Sequence, residues 1–450
     1  MNANSLPSFK ASTHLMRTAT VFLSLAMMSA LAVVATPAAQ AQTYTVIHAF
    51  TGGADGQNPW EGLTMDGEGN FFGTTFGRST GYSCNTLGCG TVFKLSRAGA
   101  GWTLNTLYRF GGFNGNAVGD GSNPWGRVFI AEDGTLYGTT YYGGTAQTCA
   151  YFYWNDGCGT VYHLTAPAAP QAALWNETII HRFTGGSDGG LPQGDLIFDQ
   201  AGNIYGTAQV GGDNLTGVVY ELTPSQHGWA ETVIYAPSYP GYEGTMPSGG
   251  VSFDQAGNLY GALQGGGIEC NLPYYCGGIF EVSPSGSGWS GKTIYLFTKD
   301  YGSNPVGGLL VDAAGNLYGT TPGGVSGGGG TVFELSPGNE NWTIDTLYSF
   351  QSSDYYGGPQ NKLVMDAAGN LYGTTFRQGT HDLGTVFRLA PSSRGWQYTL
   401  LHDFTGGSDG AWPRTNLVFD AEGNLYGTAA GGGTGGACDN GCGVIFEITP

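Results

Sequence analysis

The sequence predicts an all-β fold, a seven-bladed β-propeller of four-stranded blades. One short motif occurs seven times along the 450 residues, and each repeat carries four short apolar or aromatic runs. The last repeat lacks its fourth run, and a matching run stands near the start of the chain. Repeats of this length with four strands each are typical of propellers, and no segment shows a sustained helical period.

The repeated motif is G-N-[LFI]-[YF]-G with small variations, and DAAGNLYGTT occurs twice unchanged, from Asp312 and from Asp366. Successive copies are 65, 68, 55, 58, 54 and 54 residues apart. We expect a tight hairpin at each copy, because Asp can cap the turn through its carboxylate and Gly accepts a positive φ. The copies begin at Gly69, Gly134, Gly202, Gly257, Gly315, Gly369 and Gly423.

The two ends of the chain predict how the ring closes. The seventh repeat stops after its third run, GVIFEITP (Gly443–Pro450), whereas YTVIHAF (Tyr44–Phe50) resembles the fourth run YTLLHDF (Tyr398–Phe404) of the sixth repeat. We therefore expect the N-terminal strand to complete the last blade. Such closure leaves no exposed sheet edge at the junction.

The repeat core also resembles a known family. GNLYGTT, then GG, then GTVFEL (Gly330–Leu335) is similar to the Gloeo/Verruco (GloVer) tandem repeat of choice-of-anchor GloVer-containing secreted bacterial proteins. The resemblance covers essentially all of the chain after the first forty residues. It implies export and repeated β-structure, and it implies no activity or catalytic residue. Members commonly end in an anchoring segment, which is not seen before Pro450, so we expect release rather than surface attachment.

Residues 1–41 predict a signal peptide. A weakly basic start precedes the apolar run Thr18–Ala35 and a small-x-small cleavage site at Ala39–Ala41. An N-terminal membrane anchor is the alternative, but the run is short for a spanning helix. Residues 42–450 are then one propeller domain without a transmembrane segment, secreted into the extracellular space or the periplasm, and we expect a monomer.

The charge of the chain argues against one class of partner. All 33 acidic residues but only 13 of the 15 Lys and Arg follow the signal peptide, so the processed chain has a net charge of −20. An acidic surface of this kind repels phosphate backbones. We therefore expect no nucleic-acid partner.

The eight cysteines form four close pairs, each in the loop between the second and third strands of a repeat. The even count and the signal peptide favour disulfides. A metal site would need cysteines of neighbouring blades to converge, and no His accompanies them. We call the side on which these loops and the blade-to-blade linkers emerge the linker face. The pairs are Cys84/Cys89, Cys149/Cys158, Cys270/Cys276 and Cys438/Cys442.

Every linker contains an acid four or five residues before a proline. We expect this acid to cap a turn and the proline to open the inner strand. No motif indicates a metal or cofactor, so none is expected; a carboxylate ring that binds Ca²⁺ is the alternative. The acids are Asp55, Asp120, Asp188, Glu243, Asp300, Asp354 and Asp409.

The tryptophans fall into two groups, one at a repeated structural position and one that is a candidate for ligand binding. Six occupy one slot before the fourth strand and predict packing: Trp102, Trp175, Trp229, Trp289, Trp342 and Trp396. Other aromatic residues fall on the linker face, where flat rings suit stacking on sugars, although packing between loops is the alternative for each. The ligand-binding candidates are Trp60, Trp125, Trp154, Trp412, Tyr141 and Tyr142, together with Arg414.

Polar residues that differ between repeats follow the linker prolines. Because these residues vary, the shared fold does not require them, and they are candidates for a functional site. Glu61 and Asp195 are candidates for the carboxylate pair of a glycoside hydrolase. Arg127 or Lys362 would instead neutralise a uronate in a polysaccharide lyase. The G-x-S-x-G match at Gly324–Gly328 lies in a glycine tract without a following helix and does not indicate a nucleophile elbow.

Three functions of different classes therefore remain. The leading hypothesis is a secreted binding module for polysaccharide or another extracellular surface ligand, without catalysis. A carbohydrate-active enzyme, either lyase or hydrolase, on the same face is the first alternative. A structural or adhesive cell-envelope protein is the second alternative.

Overall fold

The computed structural model describes residues 42–77, 89–111, 119–144, 149, 157–168, 174–238, 244–266, 276–298, 300–323, 328–339, 341–351, 356–434 and 438–449. Thr43–Thr449 form one compact unit. It consists of seven small antiparallel sheets in a ring, which confirms the predicted seven-bladed propeller. The predicted signal peptide lies outside the described residues. Across the described ranges, no helix is long and apolar enough to cross a membrane.

Each blade is a short antiparallel meander, and in blades one to six the strands follow one another in chain order. The chain begins with β1 (Thr43–Ala49), which belongs to blade seven. Blade one contains β2 (Thr64–Met65), β3 (Phe71–Thr75), β4 (Thr91–Ala98) and β5 (Gly101–Arg109). Blade two contains β6 (Ser122–Pro124), β7 (Phe129–Ile130), β8 (Leu136–Tyr142), β9 (Thr160–Thr165) and β10 (Asn176–Arg182). Blade three contains β11 (Gly190–Pro192), β12 (Ile197–Phe198), β13 (Ile204–Val210), β14 (Val218–Ser225) and β15 (Gly228–Tyr235).

The remaining blades repeat this plan. Blade four contains β16 (Thr245–Phe253), β17 (Leu259–Gly265), β18 (Gly278–Ser285) and β19 (Gly288–Leu296). Blade five contains β20 (Leu310–Val311), β21 (Leu317–Thr321), β22 (Thr331–Ser336) and β23 (Thr343–Ser349). Blade six contains β24 (Val364–Met365), β25 (Leu371–Thr375), β26 (Thr385–Ser392) and β27 (Gly395–Asp403). Blade seven contains β28 (Val418–Phe419), β29 (Leu425–Ala429), β30 (Val444–Thr449) and the borrowed β1.

The sheets differ in two places from the plan of four consecutive strands. In blades two and three the inner strand is split into two pieces that pair with the same neighbour, so these sheets have five strands rather than four. In blade seven, β1 pairs antiparallel with β30, with Tyr44 opposite Ile448 and Val46 opposite Phe446. The predicted closure of the ring is therefore confirmed.

The repeated hairpin explains why ten residues occur twice unchanged. The Asp312 carboxylate accepts hydrogen bonds from the backbone N–H groups of Ala314 and Asn316, both at 2.8 Å, and from the Asn316 side chain at 2.9 Å. Gly315 has φ +85°, which a glycine tolerates without a Cβ clash. Asp366 makes the same three contacts in blade six. The Asp, Gly and Asn of the motif therefore serve the turn.

The core is divided into seven clusters, each shared between neighbouring blades. Phe71 of blade one, for example, packs 4.5 Å from Tyr426 of blade seven and 5.4 Å from Trp102, measured between ring centroids. All six tryptophans of the repeated slot pack against such a cluster, as predicted.

The linkers fasten each blade to the next. The residue before the linker proline has a positive φ in six blades, and the ring of that proline packs on the glycine before the third strand of the preceding blade. Pro124 of blade two, for example, lies against Gly90 of blade one. The positive-φ residues before proline are Asn58, Asn123, Leu191, Met246, Asn304 and Trp412.

Turn capping is confirmed for the linker acids Asp55, Asp120, Asp188 and Asp409, whereas the Asp300 carboxylate makes no such contact with a described residue. Asp55 accepts from the backbone N–H and the hydroxyl of Thr51, and Asp188 and Asp409 make the same pair of contacts with their own linker threonines. Asp120 accepts from the backbone N–H of Gly111. Glu243 and Asp354 lie outside the described residues.

The cysteines follow the prediction in part. Cys438 and Cys442 form a disulfide. Cys89 and Cys276 are disulfide-bonded, and their predicted partners Cys84 and Cys270 lie outside the described residues.

The predicted disulfide between Cys149 and Cys158 is not formed in this structure. Both residues are buried free thiols. A hydrogen bond with Cys149, together with burial, raises the pKa of the Cys158 thiol. The two thiols therefore lie within hydrogen-bonding distance of each other, without the covalent bond.

Candidate functional site

Side chains from several blades converge where the inner strands begin, just after the linker prolines. We call this region the axial mouth. It includes every catalytic candidate from the sequence and several of the ligand-binding candidates. Its residues are Trp60, Glu61, Trp125, Arg127, Gln193, Asp195, Gln360, Asn361, Lys362, Arg414 and Asn416.

Glycines allow the blades to meet this closely. Gly126 has φ +115° and Gly194 has φ +98°, and a Cβ on either would overlap the backbone of the next blade, at Gly194 and at Gly250 respectively. Because the backbones touch, the side chains on either side of these glycines are held around the axis. The polar residues of the axial mouth therefore have little freedom to move apart.

Asp195 is the hub of the polar network. Its carboxylate accepts from the backbone N–H of Arg127 at 2.9 Å, from Arg127 Nε at 2.8 Å and from Asn416 Nδ2 at 3.2 Å. The last contact joins blade three to blade seven. Burial alone raises the pKa of this carboxyl, but the Arg127 charge and the N–H donors outweigh it and hold the pKa below its usual range. Asp195 is therefore an ionised partner of Arg127.

Lys362 ties three blades together. Its backbone N–H donates to Asn416 Oδ1 at 2.9 Å, and its Nζ donates to Ser252 Oγ of blade four at 2.8 Å. Burial lowers the pKa of the Lys362 ammonium to about 8, and the nearby Arg127 charge acts in the same direction. The ammonium is therefore mostly charged at neutral pH and loses its proton in mild alkali.

Residues of all seven blades line a narrow space at the axis. The space that the centre of a water-sized sphere can reach between the lining residues is about 30 Å³. A bound water needs roughly 10 to 15 Å³ on this measure, so the space holds about two waters. A sugar ring does not fit into the channel. A ligand larger than a few atoms must bind on the outer rim of the axial mouth.

Glu61 differs from Asp195 in its environment. The Glu61 carboxyl makes no hydrogen bond to any residue that the structure describes. Burial raises the pKa of Glu61 to about 8, and repulsion by Asp195 adds to it, while Arg414 and Arg127 act in the opposite direction. At neutral pH this carboxyl is therefore mostly protonated and uncharged.

Aromatic rings form one side of the rim. Trp60 stacks on Phe76 with ring centroids 4.7 Å apart, and Trp125 meets both rings edge-on, 5.5 Å from Trp60 and 5.3 Å from Phe76. The guanidinium carbon of Arg414 lies 5.1 Å from the Trp60 ring centroid and 5.4 Å from that of Phe376. All five side chains are partly exposed. The structure thus brings together three of the predicted ligand-binding residues, Trp60, Trp125 and Arg414.

Amide side chains continue the rim. Tyr141 packs 5.0 Å from Trp125, and its hydroxyl donates to Gln209 Oε1 at 2.8 Å. Gln209 Nε2 in turn donates to Gln264 Oε1 at 2.8 Å. Aromatic and amide groups therefore form one continuous polar and apolar edge across blades one to four.

Four residues of the rim are not identified from the sequence: Phe76, Phe376, Gln209 and Gln264. Each stands two residues after the Gly-Thr or Gly-Ala step that recurs in the second strand of every repeat, as in GTTF, GTAQ and GALQ. That position carries a different residue in most repeats: Phe76, Tyr141, Gln209, Gln264, Pro322, Phe376 and Ala430. Variation beside an otherwise constant motif was the signal that could have identified them.

Other predicted residues lie elsewhere. Trp412 has φ +57° and covers Gly431, so it packs within its own blade. Tyr142 lies 4.7 Å from Tyr141 and packs against the core cluster of blades two and three. Trp154 lies outside the described residues.

Comparison with known proteins agrees with the fold. A polysaccharide lyase described as an ulvan lyase has a TM-score of 0.52 at 10% identity, covering 90% of this chain and 95% of that chain. The same type of lyase bound to a GlcA(1-4)Rha3S saccharide gives 0.50 at 11% identity, covering 88% and 95%. The PQQ-bound aldose sugar dehydrogenase of Streptomyces coelicolor gives 0.44 at 13% identity, covering 75% and 97%. At these identities the ulvan lyase likeness shows the fold alone.

The repeats themselves give the family. No curated protein matches the chain significantly. The repeat family described as Gloeobacter/Verrucomicrobia repeat matches residues 32–271, 147–365 and 269–450, which overlap and together span the whole propeller. The chain therefore belongs to the Gloeobacter/Verrucomicrobia repeat family.

Proposed function

We propose that this protein is an extracellular binding module that holds a polysaccharide on the rim of its axial mouth. The observation that carries the proposal is the cluster of Trp60, Phe76 and Trp125 around Arg414, partly exposed beside a channel too narrow for a sugar. Buried rings at this place would serve the core. Partly exposed rings offer apolar faces and edges that suit the C–H surfaces of a sugar.

The amide side of the rim supports the same reading. Gln209 and Gln264 supply donors and acceptors next to the aromatic side, which is the combination that ligand sites use for orientation. A polysaccharide chain presents alternating hydroxyl edges and apolar ring faces. A rim that offers amides and aromatic rings together fits that pattern. Ligand-bound and ligand-free forms should differ little, because the backbone at this place is held by the glycine contacts between blades.

A carbohydrate-active enzyme is the second candidate, and Glu61 is the observation that favours it. A carboxyl with a pKa of about 8 is suited to donate a proton at neutral pH. However, Asp195 is engaged by Arg127 and Asn416, so it is not a free second carboxylate for glycoside hydrolysis. Lys362 is likewise bound to Ser252. The binding module therefore remains the better-supported function.

Affinity gel electrophoresis of the purified protein tests this proposal. Gels containing neutral or acidic polysaccharides of plants, algae and bacteria should retard the protein, and Trp60→Ala plus Trp125→Ala should weaken retardation at least tenfold, which is about 1.4 kcal/mol. Tyr301→Ala is the matched control, since Tyr301 is an exposed aromatic outside the cluster. Circular dichroism checks that the variants fold.

The same incubations distinguish the alternatives. Release of reducing ends or of unsaturated uronate would favour the enzyme, and Glu61→Gln should then abolish it. Absence of both retardation and products across the panel would contradict the proposal and favour a structural or adhesive role with a protein partner.

A further inference from the structure

The axial mouth concentrates positive charge on an acidic protein. The chain has a net charge of −18, with only 15 Lys and Arg in 450 residues. Three of these cations, Arg127, Lys362 and Arg414, nevertheless lie together at the axis. Asp195 balances one of them through its ion pair with Arg127. The remaining charge makes the mouth positive against an acidic background.

Arg414 has unused hydrogen-bonding capacity. Its guanidinium lies against the rings of Trp60, Trp125 and Phe376, at 5.1, 5.9 and 5.4 Å from their centroids. Among the described residues it forms no ion pair and donates no hydrogen bond. Stacking covers the faces of a guanidinium and leaves its five in-plane N–H donors available. Those donors match the geometry of a carboxylate or sulfate, which accepts two parallel N–H bonds.

Glu61 does not cancel this charge at neutral pH. It is the carboxyl whose electrostatic influence reaches Arg414, and its pKa is raised to about 8 by burial and by Asp195. At pH 7 the mouth therefore carries three cations and the Asp195 anion, with Glu61 mostly neutral. The neutral carboxyl can also donate a hydrogen bond to an anionic ligand. An ionised carboxylate at the same place would instead repel that ligand.

We propose that the rim selects an anionic saccharide, whose carboxylate or sulfate binds the in-plane N–H groups of Arg414 while its sugar ring packs against Trp125. This inference rests on the proposed polysaccharide binding and names the class of ligand. Lys362 and Arg127 contribute the long-range field and keep their contacts with Ser252 and Asp195. A neutral polysaccharide would use the aromatic and amide rim alone and leave Arg414 without a partner.

Isothermal titration with three tetrasaccharides of equal length tests this: tetragalacturonate, a sulfated galactan tetrasaccharide and neutral cellotetraose. We expect at least one of the two anionic ligands to bind tenfold or more tightly than the neutral one. Their relative affinities distinguish a carboxylate from a sulfate ligand. Arg414→Gln should remove the preference, and Arg414→Lys should restore only part of it, because an ammonium lacks the planar fork. Arg394→Gln, in an exposed hairpin, is the matched control and should change nothing.

The pH dependence gives a second, independent readout. At the mouth, the charges of Arg127 and Asp195 act on Glu61, and Lys362 in turn lies near Arg127 and Asp195. Between pH 7 and pH 9, Glu61 gains a negative charge and Lys362 loses its positive charge, so affinity for the anionic ligand should fall. Glu61→Gln should retain only the smaller, Lys362-dependent part of this fall. An unchanged pH profile in that variant would contradict the assignment of Glu61.

Failure of this inference is distinguishable from failure of the proposed function. Equal affinity for neutral and anionic tetrasaccharides, with loss of both in Trp60→Ala plus Trp125→Ala, would overturn the anionic preference and leave polysaccharide binding intact. An anionic preference that survives Arg414→Gln would overturn the role of Arg414. Absence of binding to any of the three, and to the longer polysaccharides in gels, would overturn both.

Discussion

Tyr44 of the N-terminal strand stacks on His402 of blade six, with ring centroids 3.6 Å apart and planes inclined by 7°. The Tyr44 hydroxyl also donates to the backbone carbonyl of Asp409, in the linker that follows. A residue that completes blade seven thus also holds blade six. The first strand of the chain therefore fastens the ring at two blades rather than one.

Removal of this ring should weaken the closure. We expect Tyr44→Ala to lower the free energy of unfolding by about 3 kcal/mol, the low end of the range for truncation of a buried aromatic ring, because Tyr44 is only partly buried. Thr45→Ala, at an exposed position of the same strand, is the control and should cost under about 0.5 kcal/mol. Urea denaturation followed by circular dichroism measures both. Equal stability of the two variants would contradict a closing role for Tyr44.

The fourth-strand histidines should make the fold sensitive to acid. Burial lowers the pKa of His402, although Asp409 at 3.1 Å acts in the opposite direction. A His whose folded-state pKa lies below its unfolded value of about 6.5 stabilises the fold above that value and loses this contribution as the pH falls. His48 is shifted in the same direction. We therefore expect the urea midpoint to decrease from pH 7 to pH 5.

The sequence itself supplies the variant that tests this. Tyr108 occupies the equivalent slot and donates from its hydroxyl to Asp120 at 2.8 Å, without a titration near neutral pH. His402→Tyr should therefore reduce the loss of stability between pH 7 and pH 5, and His48→Tyr should add to the effect. The experiment compares urea midpoints at the two pH values. A slope unchanged in the double variant would assign the acid sensitivity to other groups.

The glycines around the axis should tolerate no side chain. Gly194 and Gly202 both have positive φ, +98° and +84°, but only at Gly194 would a Cβ overlap a neighbouring backbone. We expect Gly202→Ala to cost about 1 to 2 kcal/mol for the backbone conformation alone. Gly194→Ala should cost at least about 2 kcal/mol more because blades three and four must separate. Equal costs would mean that the inner strands are less closely packed than the structure shows.

The hairpin carboxylate should contribute measurably to stability. Asp312→Ala removes the acceptor for two backbone N–H groups, which should cost about 1 to 2 kcal/mol. Ala313→Ser, at an exposed position of the same turn, is the control. Thermal unfolding of the two variants gives the comparison. A loss no larger than that of the control would show that glycine conformation alone maintains the turn.

Thiol labelling tests whether Cys149 and Cys158 are free thiols, as in the structure, or form the predicted disulfide. Both thiols are buried, so iodoacetamide should not modify them in the folded protein. After unfolding without a reductant, peptide mass spectrometry should show both residues alkylated. Absence of label on both, with a linked peptide instead, would mean that the pair is oxidised to the disulfide that its spacing predicts.

What the sequence could and could not predict has a physical basis. The blades were predictable because each repeat encodes its own hairpin, strands and tryptophan slot, as the Asp312 turn illustrates. Trp60, Trp125 and Arg414 were recognisable because they depart from the repeat. The contact of Asp195 with Asn416 was not predictable, since it crosses the axis between residues 221 positions apart and no local pattern encodes it.

The same reasoning explains the catalytic candidates. The sequence offers Glu61 and Asp195 as a carboxylate pair, because both are acids that follow a linker proline. Their environments differ only after folding: Asp195 receives Arg127 and Asn416, whereas Glu61 receives no donor among the described residues. The hydrogen-bond partners of the three cations also depend on how the blades assemble. Arg127 and Lys362 have hydrogen-bond partners in the assembled ring, whereas Arg414 has none among the residues that the structure describes.

A crystal structure of the protein soaked with the anionic tetrasaccharide that binds most tightly in the titrations would test the central claim most directly. We expect a sugar ring against Trp125 on the rim, with its anionic group within hydrogen-bonding distance of the Arg414 guanidinium and the Arg127–Asp195 ion pair intact. A saccharide bound on another surface of the propeller, with the rim empty, would contradict the account.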